Sequence, residues 1–141
     1  MTVEAAQIER VTTLEQLCFE ASAWSRSQVE GALARSGVIL VHESDGYVVG
    51  EVVLDEVELH RIGVHPDARG LGRGRTLLRR FMRRAWEQGA RALFLEVRED
   101  NAPARRLYTA AGRTVAGVRP RYYADGCAAV LCTGTVSEAA E

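Results

Sequence analysis

Apolar residues recur along this chain with two different periods, and the switches between them mark most of its elements. From Arg73 to Gln88, Leu78, Phe81, Met82 and Ala85 fall at helical spacing, with Leu77 and Trp86 alongside. Arg79, Arg80, Arg83 and Arg84 take the remaining face, and Gly89 follows as a residue suited to closing a helix. Ahead of this helix, Val38–His42, Tyr47–Leu54 and Val57–Val64 read as three strands. The first two are joined at Ser44-Asp45-Gly46, where Asp-Gly is a hairpin signal, and Asp55-Glu56 makes the next tight turn. Pro66 helps end the third strand. Behind the helix, Ala92–Val97 is a short apolar run that fits a buried strand. Thr114–Val118 and Cys127–Thr133 read as two final strands around a loop carrying RPRYYADG.

Polar residues at fixed offsets set the remaining helices. Thr12-x-x-Glu15 and Ser25-x-x-Gln28 both have the form of a capping box. They predict one short helix from Thr12 to about Ala21 and another that stops near Gly37. Asn101 caps a helix over Ala102–Ala111, with Pro103 tolerated in its first turn and Gly112 ending it. Two helices, three strands, a long helix, a strand, a helix and two strands predict an α/β (α+β) domain around a mixed, mostly antiparallel sheet flanked by helices. With no linker or repeat in 141 residues, residues 1–134 form one domain and 135–141 a flexible C-terminal tail.

Composition narrows the chemistry. No apolar run approaches ~20 residues, so no membrane span is expected, and the N-terminus lacks a basic-then-apolar signal pattern. Cys18, Cys127 and Cys132 are odd in number and share no metal-ligand spacing. They read as reduced thiols of a cytoplasmic protein, with Cys127 and Cys132 on opposite sides of one strand. His42, His60 and His65 form no zinc motif, so no metal is expected, and no G-x-S-x-G elbow is present. Every basic residue is arginine. Residues 1–60 hold 11 acids against 3 arginines and residues 61–141 hold 8 against 15, so the halves carry close to −8 and +7. A basic half suits a polyphosphate and an acidic half a cationic acceptor; the plain alternative is a pair of solvated faces.

The basic half opens with VELHRIGVHPDARGLGRG, Val57 to Gly74, running directly into the long helix. A strand feeding a glycine-rich turn at a helix N-terminus gathers unpaired backbone N–H groups and the positive end of the helix dipole, which favours an anion. A nucleotide P-loop fails on spacing and on Arg75-Thr76 at its Lys-Ser/Thr position. A dinucleotide fingerprint fails because the glycines alternate as G-x-G-x-G. The pattern [QR]-x-x-G-x-[GA] is met by Arg69, Gly72 and Gly74, and an ordinary glycine-rich turn is the bland alternative.

Three segments together, IGVHPDARGLGRGRTLL, LEVREDNAPARRLYTAAG and RPRYY, resemble the GNAT N-acetyltransferases from their fourth strand onward. LEVR-x-x-N-x-x-A-x-x-LY-x-x-x-G followed by a Tyr-Tyr loop resembles, more narrowly, the ribosomal-protein alanine N-acetyltransferases, and EASAWS suits the same group. The resemblance covers residues 7–134. It implies the GNAT fold, acetyl-coenzyme A (acetyl-CoA) as cosubstrate, and a role for each matching position. Ile62, Gly63 and Val64 would line the pantetheine arm and offer backbone N–H to the thioester carbonyl. Arg69, Gly70, Leu71, Gly72, Arg73, Gly74 and Arg75 would wrap the pyrophosphate, and Asn101 would hydrogen-bond the pantetheine. Glu96 would be the general base and Tyr108 the general acid.

Elementary chemistry asks for the same groups. An ammonium cannot attack a thioester, so a carboxylate must take its proton, and a phenol can protonate the departing sulfur. Each residue also has a structural reading: Glu96 paired to Arg98 on the same strand face, Tyr108 in the core, Asn101 only an N-cap. Three positions depart from the family pattern: Arg113 after Gly112, Pro120, and Cys127-Ala128 where Glu-Asp is usual. All three are expected near the acceptor. The acceptor implied is a protein N-terminal α-amine, whose pKa near 7.7–8.0 against ~10.4 for lysine makes deprotonation about 3 kcal/mol cheaper. Asp55, Glu56 and Glu58, with Glu51, could meet a basic, ribosomal-protein-like peptide. Rival readings are a small-molecule amine, a lysine side chain, or a non-catalytic acyl-CoA sensor. A nucleic-acid module resting on Arg79, Arg80, Arg83 and Arg84 is disfavoured by the net charge of −1. Nothing in the pattern sets an oligomeric state.

Overall fold

The computed structural model describes residues 5–138. In chain order the elements are α1 (Ala5–Phe19), α2 (Arg26–Leu33), β1 (Val38–Glu43), β2 (Gly46–Val53), β3 (Glu56–Val64), α3 (Arg73–Glu87), β4 (Ala92–Arg98), α4 (Ala102–Ala110), β5 (Thr114–Arg119) and β6 (Ala129–Thr135). The Ser25 box forms as expected: Gln28 N–H donates to the Ser25 hydroxyl, and Ser25 N–H donates to the Gln28 side chain. The Thr12 box does not. The helix already runs from Ala5, and the Thr12 hydroxyl donates back to the Ile8 carbonyl inside it. What sets α1 is burial, because Val11, Leu14 and Glu15 all point into the protein.

The six strands form one sheet in the order β1-β2-β3-β4-β6-β5, with β3 and β4 parallel and every other pair antiparallel. Val41, Val48, Val57, Leu59, Leu93, Leu95, Val97, Val130 and Cys132 face α3 and α4, where Leu78, Phe81, Met82 and Tyr108 complete the main core. On the other face Leu40, Tyr47 and Val49 meet Val11, Leu14, Val29 and Leu33 of α1 and α2. That second layer ends over β1–β3. The opposite face of β4, β6 and β5 has no helix on it among the described residues.

β6 starts at Ala129, so Cys127 precedes the strand instead of sharing it with Cys132. Its end is also later than expected. Thr135 still pairs with Ala92, and Val136 is buried with its N–H donated to the Arg91 carbonyl. Residues 139–141 lie outside the described residues. No helix among the described residues is long and apolar enough to cross a membrane.

Candidate active site

The parallel ladder between β3 and β4 is short. It joins Glu56–Leu59 to Ala92–Leu95 and stops, yet β3 continues to Val64 and β4 to Arg98. A register shift accompanies the parting: Gly50 faces Leu59 while Val49 faces Arg61, leaving His60 as a bulge. Beyond it, β3 stays paired to β2 and β4 to β6, so their facing edges open into a gap.

A cleft of about 540 Å³ starts at that gap. Ile62, Gly63 and Val64 form one wall, and the turn with the first residues of α3, Arg69, Gly70 and Gly72 to Arg75, forms the next. Asn101, Pro103, Ala104, Arg106 and Leu107 close it from α4, and Cys18 and Phe19 from α1. Gly70 and Gly72 have φ of 80° and 78°, left-handed backbone that side chains disfavour, and no side chain caps α3. A Cβ built on either glycine would meet nothing within 4 Å, so this backbone is open to approach. At Gly74 a Cβ would come within 3.3 Å of Leu107, and its absence lets α3 and α4 converge at the cleft. Arg69 Nε donates to the Val64 carbonyl (3.0 Å), and Arg73 pairs with Asp45 of the β1–β2 turn (3.0 Å). Four arginines and no carboxylate line the cleft, a setting made for a polyanion.

Of the residues picked from the sequence, ten of the eleven for the cofactor line this one cleft. Leu71 stands outside it, 67% exposed. Asn101 does two things, lining the cleft and accepting from Ala104 N–H as the cap of α4. Cys18, Phe19, Arg106 and Leu107 escaped sequence reading. For Arg106 and Leu107 a signal existed, since they follow Pro103 by three and four positions and share its helix face.

Neither Glu96 nor Tyr108 lines that cleft: Glu96 lies on β4 one residue past the end of the parallel ladder, and Tyr108 of α4 lies in the main core. Leu95 and Val97 share a core with Tyr108, so Glu96 between them points to the helix-free face. Tyr108 is 4% exposed, and burial, reinforced by nearby Cys132, raises its hydroxyl well above the usual tyrosine range, so it keeps its proton. Glu96 is half-buried, and among the described residues no cation lies within ion-pair distance of it. Arg98, the expected partner, turns instead to Asp100 and Asp125. The Tyr123 ring lies 4.8 Å from the guanidinium of Arg98, and burial first, then the Glu96 charge, raise its hydroxyl pKa.

The sequence model of the acetyltransferase (GNAT) family matches residues 7–112. The chain belongs to that family. It is an N-acetyltransferase with the fold expected from its sequence. A Bacillus subtilis protein, named provisionally as a [ribosomal protein bS18]-alanine N-acetyltransferase, is 33% identical over 93% of this chain and 91% of its own. An uncharacterized protein of Mycobacterium leprae is 36% identical over 92% of this chain, which spans 38% of that longer protein. The crystal structure of the Escherichia coli ribosomal-protein-S18-alanine N-acetyltransferase superposes with a TM-score of 0.84 at 28% identity, covering 97% of this chain and 92% of that one.

The departures from the family pattern separate in space. Arg113 of this acetyltransferase reaches the Thr135 carbonyl (2.8 Å), at the end of β6 that pairs with the start of β4, and so sits away from Glu96. Its side chain lies across Gly134. Cys127 and Ala128 do lie near β4's end, where Ala128 accepts from Glu99 N–H (2.9 Å). Glu56 lies at the far end of β3, eight residues or roughly 26 Å from Val64, and Asp55 precedes it in the turn. Glu51 and Glu58 are engaged by Arg35 and His60.

Proposed function

We propose that this enzyme moves an acetyl group from acetyl-CoA to the α-amine of a protein N-terminus, of the ribosomal-protein-alanine kind for which its relatives are named. The carrying observation is the gap between β3 and β4, with an arginine-lined, glycine-floored cleft on one side and Glu96 on a helix-free face on the other. The cleft fits the cosubstrate chemically. Open glycine backbone and the start of α3 suit a pyrophosphate, and Ile62 to Val64 present strand edge to a pantetheine. Bound there, acetyl-CoA supplies an acetyl group activated as a thioester.

The chain's own residues do the rest. Arg69, Arg75 and Arg106 neutralise phosphate charge, and Arg73 is shared with Asp45. Along Ile62–Val64 alternate backbone N–H groups turn away from β2 toward the gap, where they can donate to an oxygen gaining negative charge. Glu96 takes the proton that leaves the amine, and Tyr108 holds a proton at its hydroxyl for the departing sulfur. An acceptor in extended form would lie on the helix-free face with its amine at Glu96. On β3 the nearest acid is Glu58, which pairs across the parallel ladder with Phe94, two residues before Glu96, so any preference for basic residues belongs to the first few positions of the acceptor. With three free cysteines and acceptors of this kind, the cytoplasm is the setting we infer.

The test uses matched Ala-first peptides, each with an internal lysine, one with a free and one with a blocked α-amine. Mass spectrometry should find acetyl only on the free α-amine. Modified lysine in the blocked peptide, or activity on small amines alone, would overturn the acceptor and leave the acetyltransferase standing.

A further inference from the structure

Arg98 stands two residues beyond Glu96 on the same face of β4, at the edge of the helix-free surface. Its guanidinium holds Asp100 with two bonds (Nε at 3.1 Å, Nη2 at 3.2 Å) and Asp125 with a third (2.6 Å). Those carboxylates belong to different connections, β4–α4 and β5–β6. The same guanidinium lies 4.8 Å from the centre of the Tyr123 ring, and Tyr123 packs edge-on against Tyr122 at 5.2 Å. Asp125 in turn accepts from Cys127 N–H (3.1 Å), and Tyr123 N–H donates to the Cys127 carbonyl (3.1 Å), closing the loop on itself. The Arg98 hydrogen bonds hold both aspartates below the usual carboxylate range, so the clasp is ionised at neutral pH.

These ion pairs are exposed, and exposed pairs contribute little to folding. Their consequence is positional. We propose that Arg98 is a positioning residue of the acceptor site: by clasping Asp100 and Asp125 it seats Tyr123 beside Glu96 and keeps its own charge off that carboxylate. Two residues along a strand is only about 7 Å, near enough for a released arginine to swing back onto Glu96. The Tyr-bearing loop then borders the place where the amine arrives. This rests on Glu96 as the base of the proposed reaction.

The experiment measures steady-state kinetics with the Ala-first peptide for Arg98→Gln, Asp125→Asn and the double variant, with melting temperatures alongside. Arg98→Gln should raise the peptide KM roughly tenfold, the scale of coupling within one ion-pair network. The acetyl-CoA KM should stay within about twofold, a split that general loosening would not give. Asp125→Asn should move the same way, and the double variant should be no worse than Arg98→Gln alone. Arg98→Lys should fail to rescue, because an ammonium lacks the fork that holds two carboxylates. An unchanged peptide KM, both KM values rising together, or effects that multiply in the double variant would overturn the proposal. A parent enzyme that acetylates no peptide overturns the proposed acceptor and this inference together. A parent that does, with Arg98→Gln indistinguishable from it, overturns this inference alone.

Discussion

The half of the sheet formed by β1, β2 and β3 is covered on both faces, by α1 and α2 on one and α3 on the other. The half formed by β4, β6 and β5 carries α4 on one face and no described helix on the other. Each half holds an arginine from one of the two parting strands, and the two arginines live in different surroundings. Arg61 of β3 meets Glu15, a fully buried carboxylate that also accepts from the Tyr47 hydroxyl and from Trp24 N–H (2.6 Å). Its guanidinium stacks 3.9 Å over Phe19 and donates to the Ser22 carbonyl (2.7 Å), tying down the segment between α1 and α2. Arg98 of β4 makes its ion pairs in solvent. A buried charge left without its partner is costly, whereas an exposed one is rehydrated. The covered half therefore supplies stability and the open half access, with the cleft at their seam.

That contrast can be broken in three places. Glu96→Gln, on the open side, should lower turnover by roughly 10²–10⁴-fold, the span of a positioned base, with Tyr108→Phe in the same direction. Denaturant midpoints of Glu96→Gln should match the parent, and full turnover in both variants would make these residues structural. In the covered half the effect should fall on stability. Arg61→Leu leaves the Glu15 carboxylate buried without its cation, and equilibrium urea unfolding should show a loss of about 3 kcal/mol. A variant as stable as the parent would mean that the two halves are held alike. The smallest effect belongs to the seam. Gly72→Val places a branched side chain at a φ of 78°, and calorimetry should show acetyl-CoA binding weakened roughly tenfold, about 1.4 kcal/mol. Unchanged affinity would separate the glycine turn from the cosubstrate.

Sequence alone determined what is local in this protein. The long helix and its glycine stop, the Asp-Gly hairpin, the Ser25 and Asn101 caps and the short apolar strand at Ala92–Val97 all follow from residues within a turn or two of one another. The glycine turn at the start of α3 was legible for the same reason, since an anion site of this kind is one strand, one turn and one helix end in succession. Tertiary structure decided whatever depends on residues far apart. Glu15 looked like part of a capping box, yet its carboxylate is claimed by Tyr47 and Arg61, and the helix that carries it starts at Ala5. Arg98 was within reach of Glu96 along the strand, but Asp125, 27 residues on, holds it away. The parting of β3 from β4 is set by what each pairs with on its other side, and Cys18 and Phe19 reach the cleft only because α1 crosses β3. A long charged side chain can satisfy itself with many partners. Periodicity fixes the face from which it starts, and only the packed chain fixes which partner is there.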